Sequence, residues 1–61
     1  MKKIKVWIEW DTGTEAGVRD YVLSVDADSR YLARRTAREK FLTENPHVKN
    51  EDIIGIDSWY V

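Results

Sequence analysis

From Lys3 to Trp10 the chain reads Lys-Ile-Lys-Val-Trp-Ile-Glu-Trp, so Ile4, Val6, Ile8 and Trp10 recur at every second position with Lys3, Lys5, Trp7 and Glu9 between them. Period two is the spacing of a strand with one buried face. A lone strand leaves its backbone N–H and C=O groups unpaired, so this stretch commits the chain to a sheet with an apolar side. With 61 residues in all, a single small domain has to cover that side. A chain this short buries roughly 60% of its unfolded surface, and its core supplies about 3–5 kcal/mol.

The segment Asp11-Thr-Gly-Thr-Glu-Ala-Gly17 holds two of the three glycines among turn-forming polar residues, which predicts a hairpin connection longer than the two-residue minimum. From Arg19 to Val25 alternation resumes, with Tyr21, Leu23 and Val25 on one side and Asp20, Val22 and Ser24 on the other. This second strand pairs with the first. Asp26-Ala-Asp-Ser29 supplies helix-start chemistry, since Asp28 or Ser29 can accept from the first free N–H groups. A helix is expected from about Arg30 to Glu44, with Ala33, Ala37 and Phe41 at i, i+4, i+8 as a narrow apolar stripe. Asn45-Pro46 ends it, because asparagine tolerates the left-handed cap conformation and proline cannot continue the hydrogen bonding. After a polar connection through Asp52, Ile54, Ile56, Ser58 and Tyr60 alternate with Ile53, Gly55, Asp57, Trp59 and Val61 as a third strand.

The order β-β-α-β defines an α+β fold of one domain, residues 1–61. Its simplest form is a three-stranded antiparallel sheet in order 2-1-3 with the helix on one face. A central second strand with the third parallel to it is the open alternative. Either way, one helix covers one face.

Residue inventory excludes most chemistry. No cysteine is present, so disulfides, a thiol nucleophile and cysteine-rich zinc sites are absent, and a reducing cytoplasm is the expected compartment. Met1-Lys2-Lys3 is followed by Lys5, Glu9 and Asp11, which interrupt any signal-peptide apolar region, and no longer apolar run offers a membrane span. His47 is the single imidazole, and neither it nor Ser24, Ser29 or Ser58 sits in a nucleophile-elbow pattern. Glu51-Asp52 lacks metal-ligand spacing and reads as a solvated turn before a strand. Gly13, Gly17 and Gly55 form no phosphate-binding loop. No enzyme, cofactor or metal is expected, and function is left to surfaces.

Three surfaces stand out. On the sheet face away from the helix, Trp7 and Trp59 lie among Lys5, Glu9, Val22, Gly55 and Asp57, with Val61 at the strand end. Tryptophan is enriched at interaction hot spots, although Trp7 lying over Gly55 beside Trp59 would also serve simply to shield the sheet. Bases stacking on Trp7 beside Lys3 and Lys5 is a third use of that face, opposed by the neighbouring acids. The second surface is the outer helix, where Arg30, Arg34 and Arg38 recur at i, i+4, i+8 beside Arg35. From Arg30 to Lys40, five basic residues face one acid, a local charge of +4. Such a stripe suits phosphate or carboxylate, or is a solvated face whose aliphatic stems flank the apolar stripe. The third is the end formed by the hairpin and post-helix loops, where Glu9, Asp11 and Glu15 join Glu44, Glu51 and Asp52. Acids near a helix C-terminus oppose the helix dipole, so a role in local stability is not expected of them.

The hairpin, the segment Val25-Asp-Ala27-Asp-Ser29-Arg-Tyr-Leu-Ala33, the further Ala37 and Phe41, and the short closing strand together resemble small bacteriophage-encoded β-β-α-β inhibitors of host enzymes, a group that includes the phage T7 inhibitor of bacterial RNA polymerase. The resemblance implies a small non-enzymatic protein in the bacterial host cytoplasm that occludes a larger one. A net charge of −1 departs from the strongly acidic DNA-mimicking members. The expected function is protein binding through the tryptophan face, an exposed strand edge or the acidic end. The alternative is a nucleic-acid-binding accessory protein using the arginines. A homodimer through the third strand is a further expectation, because from Ile53 to Val61 that strand carries only Asp57 as a charge, little protection for a sheet edge.

Overall fold

The computed structural model describes residues 2–25 and 29–61. Strand β1 (Lys2–Asp11) turns into β2 (Ala16–Val25); helix α1 (Arg30–Glu44) follows, then a single 3-10 turn at Asn50–Asp52 and strand β3 (Ile53–Tyr60). The sheet has the order β2-β1-β3, and both neighbours run antiparallel to the central β1. The α+β arrangement expected from the alternating segments is thus the one formed, and the parallel alternative is not.

The hairpin loop is tighter than Asp11–Gly17. Asp11 Oδ1 accepts from the Gly13 N–H at 2.8 Å, and the Thr12 and Glu15 backbones close the loop at 2.9 Å. Gly13 takes φ +93, the left-handed conformation that glycine adopts without a Cβ clash. Gly17 belongs to β2 instead, opposite Trp10. The Trp10 ring lies against Gly17, where a Cβ would stand 2.9 Å from Trp10 Cζ2. The second glycine therefore makes room for a ring and takes no part in the turn.

Helix α1 is capped at its start by Ser29, whose Oγ accepts from the Leu32 N–H at 3.1 Å. Asp26, Ala27 and Asp28, read above as helix-start residues, lie outside the described residues. At the other end Asn45 does not take the left-handed cap conformation: its φ is −130. Its side-chain amide and its backbone N–H both donate to the Phe41 carbonyl at 2.9 Å, which satisfies a free helix-end acceptor without a left-handed turn.

Ile4, Val6, Ile8, Ala33, Ala37, Phe41, Val48 and Tyr21 are buried, with Trp10, Leu23, Leu42, Ile53 and Ile56 packed on them. The alanines bring α1 down onto β1, and Phe41 fills the space toward Trp10, ring centroids 5.9 Å apart. Each of the four largest buried side chains, Phe41, Ile4, Ile8 and Val6, contributes about 1.5–3 kcal/mol of burial. The β1–β3 register shifts between Glu9 and Trp10, so Trp10 pairs with Ile53. The bulge corrects the simple alternation of β3, because Ile53 packs on the core while Ile54 is turned out at 62% exposure.

Candidate functional site

Cross-strand register defines the face away from α1. Lys5 lies between Val22 and Trp59, Trp7 between Asp20 and Asp57, and Glu9 between Val18 and Gly55. On this face Val18, Val22 and Trp59 are 52%, 58% and 42% exposed, and Val61, just beyond β3, is 74% exposed. Trp7 is half-buried at its centre. Its Cζ3 reaches to 3.9 Å from where a Gly55 Cβ would stand, so the ring edge shelters that strand glycine. Lys5 Nζ pairs with Asp20 at 3.6 Å and stands 6.0 Å from the Trp59 ring centroid. Val18, which falls between the expected connection and the expected second strand, joins this face through its pairing with Glu9. Along β1 the charge changes sign, with Lys3 and Lys5 toward its start and Glu9 and Asp11 toward the hairpin.

The hairpin and post-helix loops meet, as expected of the acidic end. His47 Nε2 donates to Glu15 Oε1 at 2.6 Å, and the His47 ring stands edge-on to Trp10, centroids 6.4 Å apart. Glu44 corrects the expectation that acids here lack a local role. Its Oε1 accepts from the Tyr21 hydroxyl at 2.6 Å. Burial of the phenol, reinforced by the Glu44 carboxylate, pushes the Tyr21 pKa up to about 12. Asp52 closes the 3-10 turn by accepting from the Lys49 N–H at 2.9 Å.

The arginine stripe is divided between the outer side of the helix and its flank. Arg34 and Arg38 are half-buried along the seam between α1 and β3, while Arg35 points outward in an ion pair with Glu39 at 3.5 Å. Arg30 stands 5.9 Å from the Tyr60 ring centroid, and Arg34 Nη1 donates to the buried Ser58 Oγ at 2.9 Å. Arg38 lines the groove beside Ile54, Gly55 and Ile56. The spacings match: four helical residues advance about 6 Å and two strand residues about 6.7 Å, so each arginine meets every second residue of β3, running the opposite way. One donor on the edge of the third strand is covered. Asp57 Oδ1 accepts from the Ser58 N–H at 2.8 Å, covering an edge donor with the strand's one charge.

Among the described residues no helix is long and apolar enough to cross a membrane, and no group of three or more histidine, aspartate or glutamate side chains is placed to hold a metal ion. Comparison with protein-family models, curated proteins and solved structures finds no match to the chain.

Proposed function

We propose that this chain is a non-enzymatic protein-binding domain that lays its open sheet face on a larger protein. The observation that carries the reading is the placement of Val18, Val22, Trp59 and Val61, all exposed, around a half-buried Trp7 on one continuous face. Apolar and aromatic side chains gathered in this way, interleaved with Lys5, Glu9, Asp20 and Asp57, combine aromatic anchors with charges that orient a partner. The unpaired charges specify the partner further: basic opposite Glu9, Asp11 and Asp57, acidic opposite Lys3, since Lys5 and Asp20 pair with each other.

A domain of this size acts by covering part of its partner, the occluding mode implied by the resemblance to small phage inhibitors, with a bacterial host cytoplasm as the compartment. The nucleic-acid alternative is weakened by the arginines themselves, because Arg34 and Arg35 already hold Ser58 and Glu39. Affinity capture after nuclease treatment, with parent, Val22→Lys and Trp59→Lys in parallel, tests the reading. Both positions lie outside the core, and each variant is first matched to the parent by its circular dichroism spectrum and melt. A discrete protein retained by the parent and lost by both variants supports it; retention by both, or loss on nuclease treatment, overturns it.

A further inference from the structure

The seam between α1 and the β3 edge holds a shallow groove of about 320 Å³ lined by Arg38, Asn50, Ile53, Ile54, Gly55 and Ile56. Two of its features lack a counterpart. Arg38 has no ion pair or hydrogen bond among the described residues; its Nε is closed off from solvent, so a ligand in the groove meets the unpaired charge through the terminal Nη groups. The second feature is the strand backbone. Val61 N–H donates to the Lys3 carbonyl at 3.1 Å, and bonded and non-bonded pairs alternate along an antiparallel ladder. Trp59, Asp57 and Gly55 therefore bond toward β1, and the N–H and C=O of Ile56 point away from it. Among the described residues no further strand lies beyond β3.

We propose that this groove takes an extended acidic peptide segment of a partner protein, which pairs with the β3 edge at Ile56 and sets a carboxylate on Arg38. Strand addition supplies backbone hydrogen bonds, with specificity from alternate side chains. Those side chains meet the exposed Ile54 on one hand and a guanidinium fork on the other. Arg38 is the arginine that receives the acid because Arg30, Arg34 and Arg35 are already engaged with Tyr60, Ser58 and Glu39. The Asp57 cap on the Ser58 N–H closes the edge on the far side of Ile56 and repels an acid placed there, which fixes the register of the added strand. A phosphodiester chain has no strand-like donors to offer Ile56, so a peptide fits this groove better than a nucleic acid. The site is separate from the open sheet face, and its failure leaves that reading standing.

The test is an NMR titration of the ¹⁵N-labelled chain with a blocked peptide of alternating glutamate and valine, its glutamine counterpart, and a single-stranded oligonucleotide. The expected result is saturable shifts at Ile54, Gly55, Ile56 and the Arg38 Nε–H with the glutamate peptide, and at least tenfold weaker binding of the glutamine peptide. Arg38→Met should weaken binding at least tenfold, Arg35→Met less than twofold, and Asp57→Ala should strengthen it by uncovering the Ser58 N–H. If Arg38→Met loses the native amide spectrum, Arg38→Lys replaces it, keeping the charge without the fork and binding at least threefold more weakly. The proposal is overturned by no saturable shift at millimolar peptide, by equal binding of the glutamine peptide, by shifts confined to β2 or the open face, by unchanged affinity of the Arg38 variant, or by the oligonucleotide binding this groove more tightly.

Discussion

The two strand glycines should answer the same substitution with opposite signs. In Gly17→Ala the new Cβ falls 2.9 Å from Trp10 Cζ2 and 3.2 Å from Cε2, inside the contact distance of about 3.5 Å at which carbon atoms are comfortable. The ring's room to yield is restricted by Phe41 and His47, at centroid distances of 5.9 and 6.4 Å. Overpacking of this kind costs about 1–3 kcal/mol, and relief of glycine's backbone entropy returns about 0.5–1 kcal/mol. The net loss is about 1 kcal/mol at the middle of these ranges and at most about 2.5 kcal/mol, and at about 4–8 °C per kcal/mol for a domain of this size the Tm falls by about 4–8 °C, at most about 20 °C. In Gly55→Ala the new Cβ meets Glu9 Oε1 at 3.6 Å, Glu9 Cβ at 3.7 Å and Trp7 Cζ3 at 3.9 Å, all ordinary contacts. Only the entropic gain remains, and the Tm should rise by a few degrees. Thermal melts followed by far-UV and near-UV circular dichroism measure both, the near-UV signal reporting the packing of the aromatic side chains, Trp10 among them. A Gly17→Ala melt at or above the parent, or equal losses in both variants, refutes the packing argument.

Phe41→Ala should cost about 3–5 kcal/mol, comparable to the whole stability of a chain this short; a cooperative melt within a few degrees of the parent contradicts the placement of Phe41 in the core. Tyr21 is protonated more tightly in the folded state, its pKa raised from 10.0 to about 12, so its stabilisation is complete below pH 10 and is lost as pH rises from 10 through 12. Denaturant melts across that window should show stability falling in the parent and a flatter course in Tyr21→Phe, which itself loses about 1 kcal/mol at neutral pH; parallel curves contradict the assignment. With Asp57 covering the Ser58 N–H and arginines along the seam, sedimentation equilibrium should find no sheet-continuing dimer at micromolar concentration, and a dimer there that Trp59→Lys abolishes contradicts the edge description.

What could be read from the sequence was local. Period-two segments gave the strands, Ser29 and Pro46 bracketed α1, and the short hairpin with a helical return left 2-1-3 as the simplest order. The exposed face was legible for the same reason, because Trp7, Val22 and Trp59 follow from alternation once the sheet order is set. The bulge was not, since Ile53 and Ile54 are chemically equivalent neighbours and nothing in the strand says which one faces the core. Pairs distant in sequence, such as Tyr21 with Glu44 and Glu15 with His47, leave no periodic trace. The seam position of the arginines did have a signal. Arg34 and Arg38 each follow a buried alanine by one residue, about 100° around the helix, which places them beside the apolar stripe and not opposite it.

The central claim, that the open sheet face meets a larger protein, is tested most directly by in-cell photo-cross-linking from defined positions in the cell that encodes the chain. A benzophenone side chain replaces Val22 on the open face in one variant and Tyr31 on the exposed side of α1 in another. The account predicts one discrete, nuclease-resistant protein adduct from position 22 and none from position 31. An adduct from position 31 alone, equal adducts from both, or none from position 22 would contradict it.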